Sequence, residues 1–305
     1  MIRLFLPLML AVLALGCERT DSHPPIIFSV SAEPEIVSPG EPSTITVKAG
    51  DADKDALAYQ WTASGGDIEG IGKIVTWLSP QAEGKYEITV IVSDGSSSVS
   101  QTVNVRVWAT RPGDYYPLAI GNKWTFQDNN NNTIVFEIID VIDISGTRGF
   151  VKKVTSSGVE GAENFAYISK GSDGIYQHAA GGFSAGDSTL IFSPKLPLYK
   201  LPIITGDSWG TEFSVKLSEG YPVGDGKAEY EVVSEEDLTV KAGSFQHVFQ
   251  VKEDFTWELF GQELDHTISR QWLAPNAGII KFSQEQTRGG QTVVTEATLQ
   301  SYSLK

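Results

Sequence analysis

The chain has 305 residues, enough for two domains with a core each, and its 41% hydrophobic and 20% charged content is that of globular protein. A formal net charge of −15 repels phosphate backbones and anionic surfaces, which excludes nucleic acid as a partner and leaves no polybasic membrane patch. With a single cysteine, Cys17, the chain offers no disulfide and no cysteine-based metal site, and both methionines, Met1 and Met9, precede it.

Residues 1–16 read as a signal segment: Arg3 is a short positive region, Leu4 to Leu15 an apolar run, and Ala14-Leu15-Gly16-Cys17 a small-residue cleavage site. The run is shorter than the about 20 apolar residues of a spanning helix, is interrupted by Pro7, and is followed by the polar Glu18 to Ser22. The pattern resembles the lipobox of bacterial lipoproteins. That resemblance implies cleavage before Cys17, acylation of its thiol and amine, and attachment to membrane lipid through the acyl chains. Glu18 stands where an Asp would retain a Gram-negative lipoprotein at the inner membrane, which favours the outer membrane, with the domains in the periplasm or at the cell surface.

Residues 17–25 form a polar tether ending in Pro24-Pro25. From Ile26 to Trp108 short β-forming runs alternate with turn residues, and Tyr86 to Val92 alternates large and polar side chains as a half-buried strand does. About seven short strands in some 80 residues predict a sandwich. Asp51-Ala52-Asp53-Lys54-Asp55 ahead of Leu57-Ala58-Tyr59-Gln60-Trp61, then Gly84-Lys85-Tyr86 through Ser93-Asp94-Gly95, resembles immunoglobulin-like modules of the polycystic-kidney-disease (PKD) type. The resemblance implies Trp61 in the core and a role as spacer, adhesive unit or companion domain. Asp51, Asp53 and Asp55 are a candidate calcium site, since a hard cation collects oxygen ligands; the alternative is a solvated turn whose Asp side chains cap their own backbone. Asp94-Gly95 reads as a hairpin turn.

Residues 109–114 are a short linker around Pro112-Gly113, and residues 115–305 the second domain. Twelve strand-like runs follow one another, from Lys123–Gln127 to Gln291–Tyr302, joined by Gly, Asn, Asp and Pro clusters and without helical periodicity. Short connectors predict an antiparallel meander, curled into a barrel or half-barrel to manage its edges. Pro117 to Trp124 and Leu201 to Trp209 echo each other: an apolar pair, a Gly-led turn and a strand opening on Trp. This reads as one shared turn-and-anchor solution or a duplicated half-barrel. Tyr115 to Trp124, Glu236 to Phe245 and Gln271 to Lys281 are similar to motifs of uncharacterised all-β periplasmic lipoprotein domains, a resemblance that implies fold and compartment and no activity.

The four histidines, His23, His178, His247 and His266, lack metal-ligand spacing, and no nucleophile elbow or P-loop occurs. Two opposed carboxylates would suffice for a glycan-active enzyme, and Glu235, Glu236 and Asp237, then Glu253, Asp254 and Glu258, are the densest sources, otherwise read as a solvated strand end or hairpin tip. The stretch Ala179 to Gly206 reads as a long loop, a lid over a concave apolar face or a cap on the barrel end. Tyr176, Tyr199, Trp209 and Trp257 are candidates to line a lipid or glycan groove. The expectation is an all-β, non-catalytic envelope lipoprotein that binds a lipid, glycan or envelope protein, with an adhesin or structural interaction protein as the rival and a glycan-active enzyme behind it.

Overall fold

The computed structural model describes residues 23–111, 113–144, 146–158, 163–181, 189–259, 262–288 and 291–305, the side chains of 259, 262–265 and 288 excepted. The signal segment, Cys17 and most of the tether lie outside the described residues. The chain divides into two compact units, Met1–Ala109 and Thr110–Lys305.

The first unit is a sandwich of two four-stranded sheets. One is ordered β1 (Ile26–Glu33), β3 (Pro42–Gly50), β6 (Ile74–Leu78), β5 (Asp67–Glu69); the other β2 (Ile36–Val37), β8 (Ser98–Val107), β7 (Gly84–Ser93), β4 (Ala58–Ala63). All neighbours are antiparallel except β2 and β8. The alternation legible in β7 is its burial pattern, with Ile88, Val90 and Val92 turned inward. They meet Ile45, Val47, Val75 and Trp77 from the facing sheet, each such side chain contributing about 1.5–3 kcal/mol on full burial.

The buried tryptophan of this core is Trp77, whose Nε1 donates to the Gly65 carbonyl at 2.9 Å. Trp61, expected there, is half-buried at the border of the two apolar clusters and donates to the Gly72 carbonyl. The turn beneath Trp77 needs Gly66: its φ is +77°, and a Cβ would lie 2.4 Å from the Leu78 carbonyl oxygen. The Asp94-Gly95 hairpin forms as expected, with Asp94 Oδ1 accepting from the Ser96 and Ser97 amides.

The second unit is a closed barrel of twelve strands, each antiparallel to its neighbours in chain order: β9 (Lys123–Asp128), β10 (Thr133–Ile144), β11 (Thr147–Ser156), β12 (Glu163–Lys170), β13 (Gly174–Gly181), β14 (Thr189–Lys200), β15 (Ser208–Leu217), β16 (Pro222–Val240), β17 (Gly243–Leu259), β18 (Gln262–Ala274), β19 (Gly278–Arg288) and β20 (Gln291–Ser303). Closure is made by β9 and β20, with Phe126 opposite Leu299 and Trp124 opposite Tyr302. The half-barrel alternative is thereby corrected: the sheet leaves no free edge and no open concave face. Register shifts in many pairs, such as Val232/Ser234 and Glu236/Leu238, supply the bends that closure needs.

Two further expectations change. Much of the supposed lid is wall: β14 runs through Pro194 and Pro197, each sitting where β13 and β14 lose register, Pro194 between the Gln177–Leu196 and Ala179–Ile191 pairings and Pro197 between the Gln177–Leu196 and Ile175–Tyr199 pairings. Residues 182–188 of that stretch lie outside the described residues. Glu235, Glu236 and Asp237 are not a strand end but lie within β16.

The echo between Pro117–Trp124 and Leu201–Trp209 is structural. The Gly121 and Gly206 amides donate to the Ile138 and Val232 carbonyls, each at 2.8 Å, and the Ile138 and Val232 amides return bonds to the carbonyls of Asn122 and Asp207. Trp124 and Trp209 each donate Nε1 to a carbonyl, that of Ala277 and that of Pro197. The two anchors sit six strands apart in the twelve-strand barrel. The connections at that end bury Tyr115, Tyr116, Ile203, Ile204 and Ala277.

Candidate functional site

Inward side chains follow from the register. One apolar mass fills the barrel beside β14 to β17: Leu196, Phe213, Val215, Ala228 and Tyr230, with Phe255 and Trp257 against them. Its fit depends on Gly226, where a Cβ would come within 2.4 Å of the Phe213 ring. Phe126, Phe136 and Phe282 make a second mass from β9, β10 and β19, the last two stacked at 5.6 Å and 22°.

Between the masses the register places a polar row. Tyr230 faces Glu253, Glu253 faces Ser269, and Ser269 faces Gln284, across β16 to β19; Gln271 faces Phe282 one step along. Glu253, Ser269, Gln271 and Gln284 of this row border a cavity of about 230 Å³, lined further by Phe136, Lys152, Ile279, Phe282 and Ser283. Gln284 is exposed, so the cavity communicates with solvent. A small void of about 20 Å³ bounded by Trp124 and Ile138 shares Phe136, Lys152 and Ile279 with it.

Two opposite charges face this space without meeting. Among the described residues neither Lys152 nor Glu253 has an ion-pair partner. The Lys152 ammonium donates to the Tyr116 hydroxyl at 3.3 Å and stands 5.0 Å from the centre of the Phe136 ring. Glu253 keeps contact with the cavity yet lies deep in the protein, and burial raises its pKa; interactions with Tyr230 and Ser269 and the charge of Lys152 offset this only in part. The Tyr230 hydroxyl is enclosed and falls short of a well-formed hydrogen bond, and its pKa is raised by burial first and by Glu253 second. Tyr199, buried, donates its hydroxyl to Gln271 Oε1, which leaves the Gln271 amide nitrogen as the group free to face the cavity.

The four predicted aromatics do not share a groove. Tyr199 supports the cavity through Gln271; Trp209 stacks on Tyr230 at 5.6 Å and, with Trp257, packs against the apolar mass; Tyr176 bonds Asp173 and lies under the Lys195 ammonium. Of the acidic groups, Glu235 accepts from Arg111 Nε at 2.9 Å and pairs with His247 Nδ1 at 2.6 Å; burial pushes its pKa up, and these partners outweigh burial and hold it low. Glu236 accepts from Trp272 Nε1, Asp237 from the His247 amide, and Asp254 pairs with His266. His178 bonds Ser169 Oγ, and burial lowers its pKa. Lys152, Ser269, Gln271 and Gln284 escaped sequence reasoning. The available signal was Glu253, a charge at an inward position between Val251 and Phe255 in one alternating strand.

In the sandwich, Asp51, Asp53 and Asp55 converge, with one carboxylate oxygen of each within 4.8 Å of the others. Asp51 Oδ1 caps the Asp53 amide at 2.8 Å, the local turn expected as the alternative to a metal. Its Oδ2 and that of Asp94 are enclosed without a hydrogen-bond donor, while His23 engages both oxygens of Asp53 and lowers its pKa, chiefly through its amide. The all-oxygen donor set suits calcium, and Asp53 is already occupied in part.

Residues 27–107 match the PKD domain family. A search of the curated proteins finds no match. Among solved structures, the chain is similar to a candidate exported protein with a YmcC-like fold from Bacteroides fragilis NCTC 9343, at 15% identity and a TM-score of 0.38 over 63% of this chain and all of that one. It is similar also to a candidate lipoprotein from Parabacteroides distasonis ATCC 8503, at 12% identity and a TM-score of 0.37, again over 63% of this chain and all of that one. By sequence family, therefore, the first unit matches a PKD domain.

Proposed function

We propose that the protein is a lipid-anchored envelope protein in which the PKD-type sandwich is a spacer and the barrel a non-catalytic module that holds a small ligand inside. The observation that carries this is the cavity between the two aromatic masses, where a barrel serving only as scaffold would close on apolar side chains. The non-catalytic part is supported by the carboxylates: among the described residues Glu253 is the single acid lining the cavity, and Glu235, Glu236 and Asp237 each hold a structural partner. Native mass spectrometry of the purified full chain tests the reading. An additional mass that denaturation removes is expected; a bare mass, together with unhindered solvent exchange of the Gln284 side chain, argues for the adhesin or structural alternative.

Anchoring through Cys17 is supported by the sequence around it. Cys17→Ala should move the protein to the soluble fraction, and retention in washed membranes would remove the anchor and with it the assignment to the outer membrane.

A second reading, favoured by the enclosed oxygens of Asp51 and Asp94, is that the Asp loop holds calcium. Millimolar calcium should then raise the unfolding temperature of the sandwich, and Asp51→Asn should abolish the rise. No calcium dependence in the native chain would end this reading.

A further inference from the structure

We propose that the barrel cavity is a subsite for one neutral, polyhydroxylated six-membered ring, that is, a single pyranose unit of a carbohydrate. The proposal rests on the reading that the barrel is a binding module and names the chemistry that the module recognises.

Three properties of the cavity select the ligand. The first is size: about 150 Å³ suffices for a benzene-sized ring, so about 230 Å³ admits a six-membered ring with substituents and no second unit. The second is the unpaired charges. An acyl chain would strand both Lys152 and Glu253 without water, at a cost of several kcal/mol for each ion. A simple anion or cation would answer one of them and face repulsion from the other. A ring of hydroxyls answers both, because each hydroxyl donates to Glu253 or accepts from Lys152 and can do the reverse with its neighbour.

The third property is layout. Phe136 and Phe282 present apolar surface from one side, suited to the C–H face of a saturated ring. Glu253, Ser269, Gln271 and Gln284 come from the strands β17 to β19, with Lys152 from β11. Two of these polar groups are held before any ligand arrives: Tyr199 fixes the Gln271 amide and Tyr116 holds the Lys152 ammonium. Preorganised donors lower the ordering cost of binding. A zwitterion such as an amino acid would also satisfy Lys152 and Glu253, but it would use neither the two uncharged amides nor the aromatic wall.

Saturation-transfer-difference NMR on the intact chain decides the matter, with D-glucose, D-galactose, D-mannose and N-acetyl-D-glucosamine as probes and L-glutamine and sodium octanoate as rivals. Ring protons of at least one pyranose should receive saturation. Glu253→Gln should weaken that sugar about tenfold, as loss of one hydrogen bond to a charged group does, and Gln284→Ala, at the exposed rim, should weaken it without disturbing the fold. Tyr176→Phe, remote from the cavity, should change nothing. Binding of octanoate or glutamine at the cavity, sensitive to Glu253→Gln, overturns the carbohydrate assignment and leaves the binding module standing. If none of the pyranoses binds at millimolar concentration, the proposal fails; if the native chain also carries no ligand mass, the binding module fails with it.

Discussion

The two units treat their interiors in opposite ways. In the sandwich, Trp77, Ile88, Val90, Val92, Val105 and Val107 are wholly inaccessible, and the enclosed polar atoms stay near its loops. In the barrel, Phe249, Leu273 and Ile280 are equally buried, yet between two aromatic masses the interior keeps a lysine, a glutamate and two amides around open space. Burying such groups costs free energy that packed hydrocarbon would not. A fold that keeps them gives up stability there, and this is the feature on which the proposed binding role of the barrel rests.

Substitutions that treat the two interiors alike should break this contrast or sharpen it. The largest effect is expected from Trp77→Ala, which removes the ring between the sheets and the bond to Gly65 and should cost about 3–5 kcal/mol by chemical denaturation. A loss below about 1 kcal/mol would mean that the sandwich core is not a tightly packed unit. Next comes Glu235→Ala in the barrel, where the Arg111 and His247 contacts vanish; about 1.5–3 kcal/mol should go. Because partners hold the Glu235 pKa below its unfolded value, this stabilisation is present at neutral pH and lost as acidification passes the folded pKa. The difference between wild type and Glu235→Ala should therefore shrink in acid, and a pH-independent difference would assign the effect to packing.

Glu253→Gln should act with the opposite sign. The folded pKa of Glu253 is raised, so the native state binds more protons than the unfolded chain above the ordinary glutamate value. Stability then falls as pH climbs from that value through the folded pKa, and the amide variant should be more stable than wild type at neutral pH and lack this slope. A less stable Glu253→Gln would show the carboxylate to be a structural hub and weaken the contrast between the units. The smallest effect belongs to Thr102→Ala, which breaks the exposed cross-strand pair with Thr89 at 2.8 Å and should cost about 0.2–1 kcal/mol.

Much was legible along the chain because it is local. Alternation with a period of two marked β7, and β-forming runs between Asn, Gly, Asp and Pro clusters marked the strands of the barrel, while the short β2 and β5 left no such run. The Asp94 turn could be read from two residues, and the PKD pattern from three motifs. Where β14 carries Pro194 and Pro197 the same local rules misled, since proline is a poor strand former except where register slips, and the slip is set by β13. Trp61 was given the core place by the PKD resemblance; it is half-buried against both apolar clusters, and the packing of one sheet on the other makes Trp77 the enclosed ring.

The sequence by itself determined that the protein is all-β and that a sandwich precedes a longer antiparallel sheet, because backbone alternation and turn chemistry are properties of neighbouring residues. Only the tertiary structure decided that the long sheet closes, since closure is the pairing of β9 with β20 across some 170 residues of chain. It decided the cavity as well. Lys152, Glu253, Gln271 and Gln284 come from four strands, and nothing along the chain reveals that the register of β17 to β19 and the closure of the barrel onto β11 bring them to the same space.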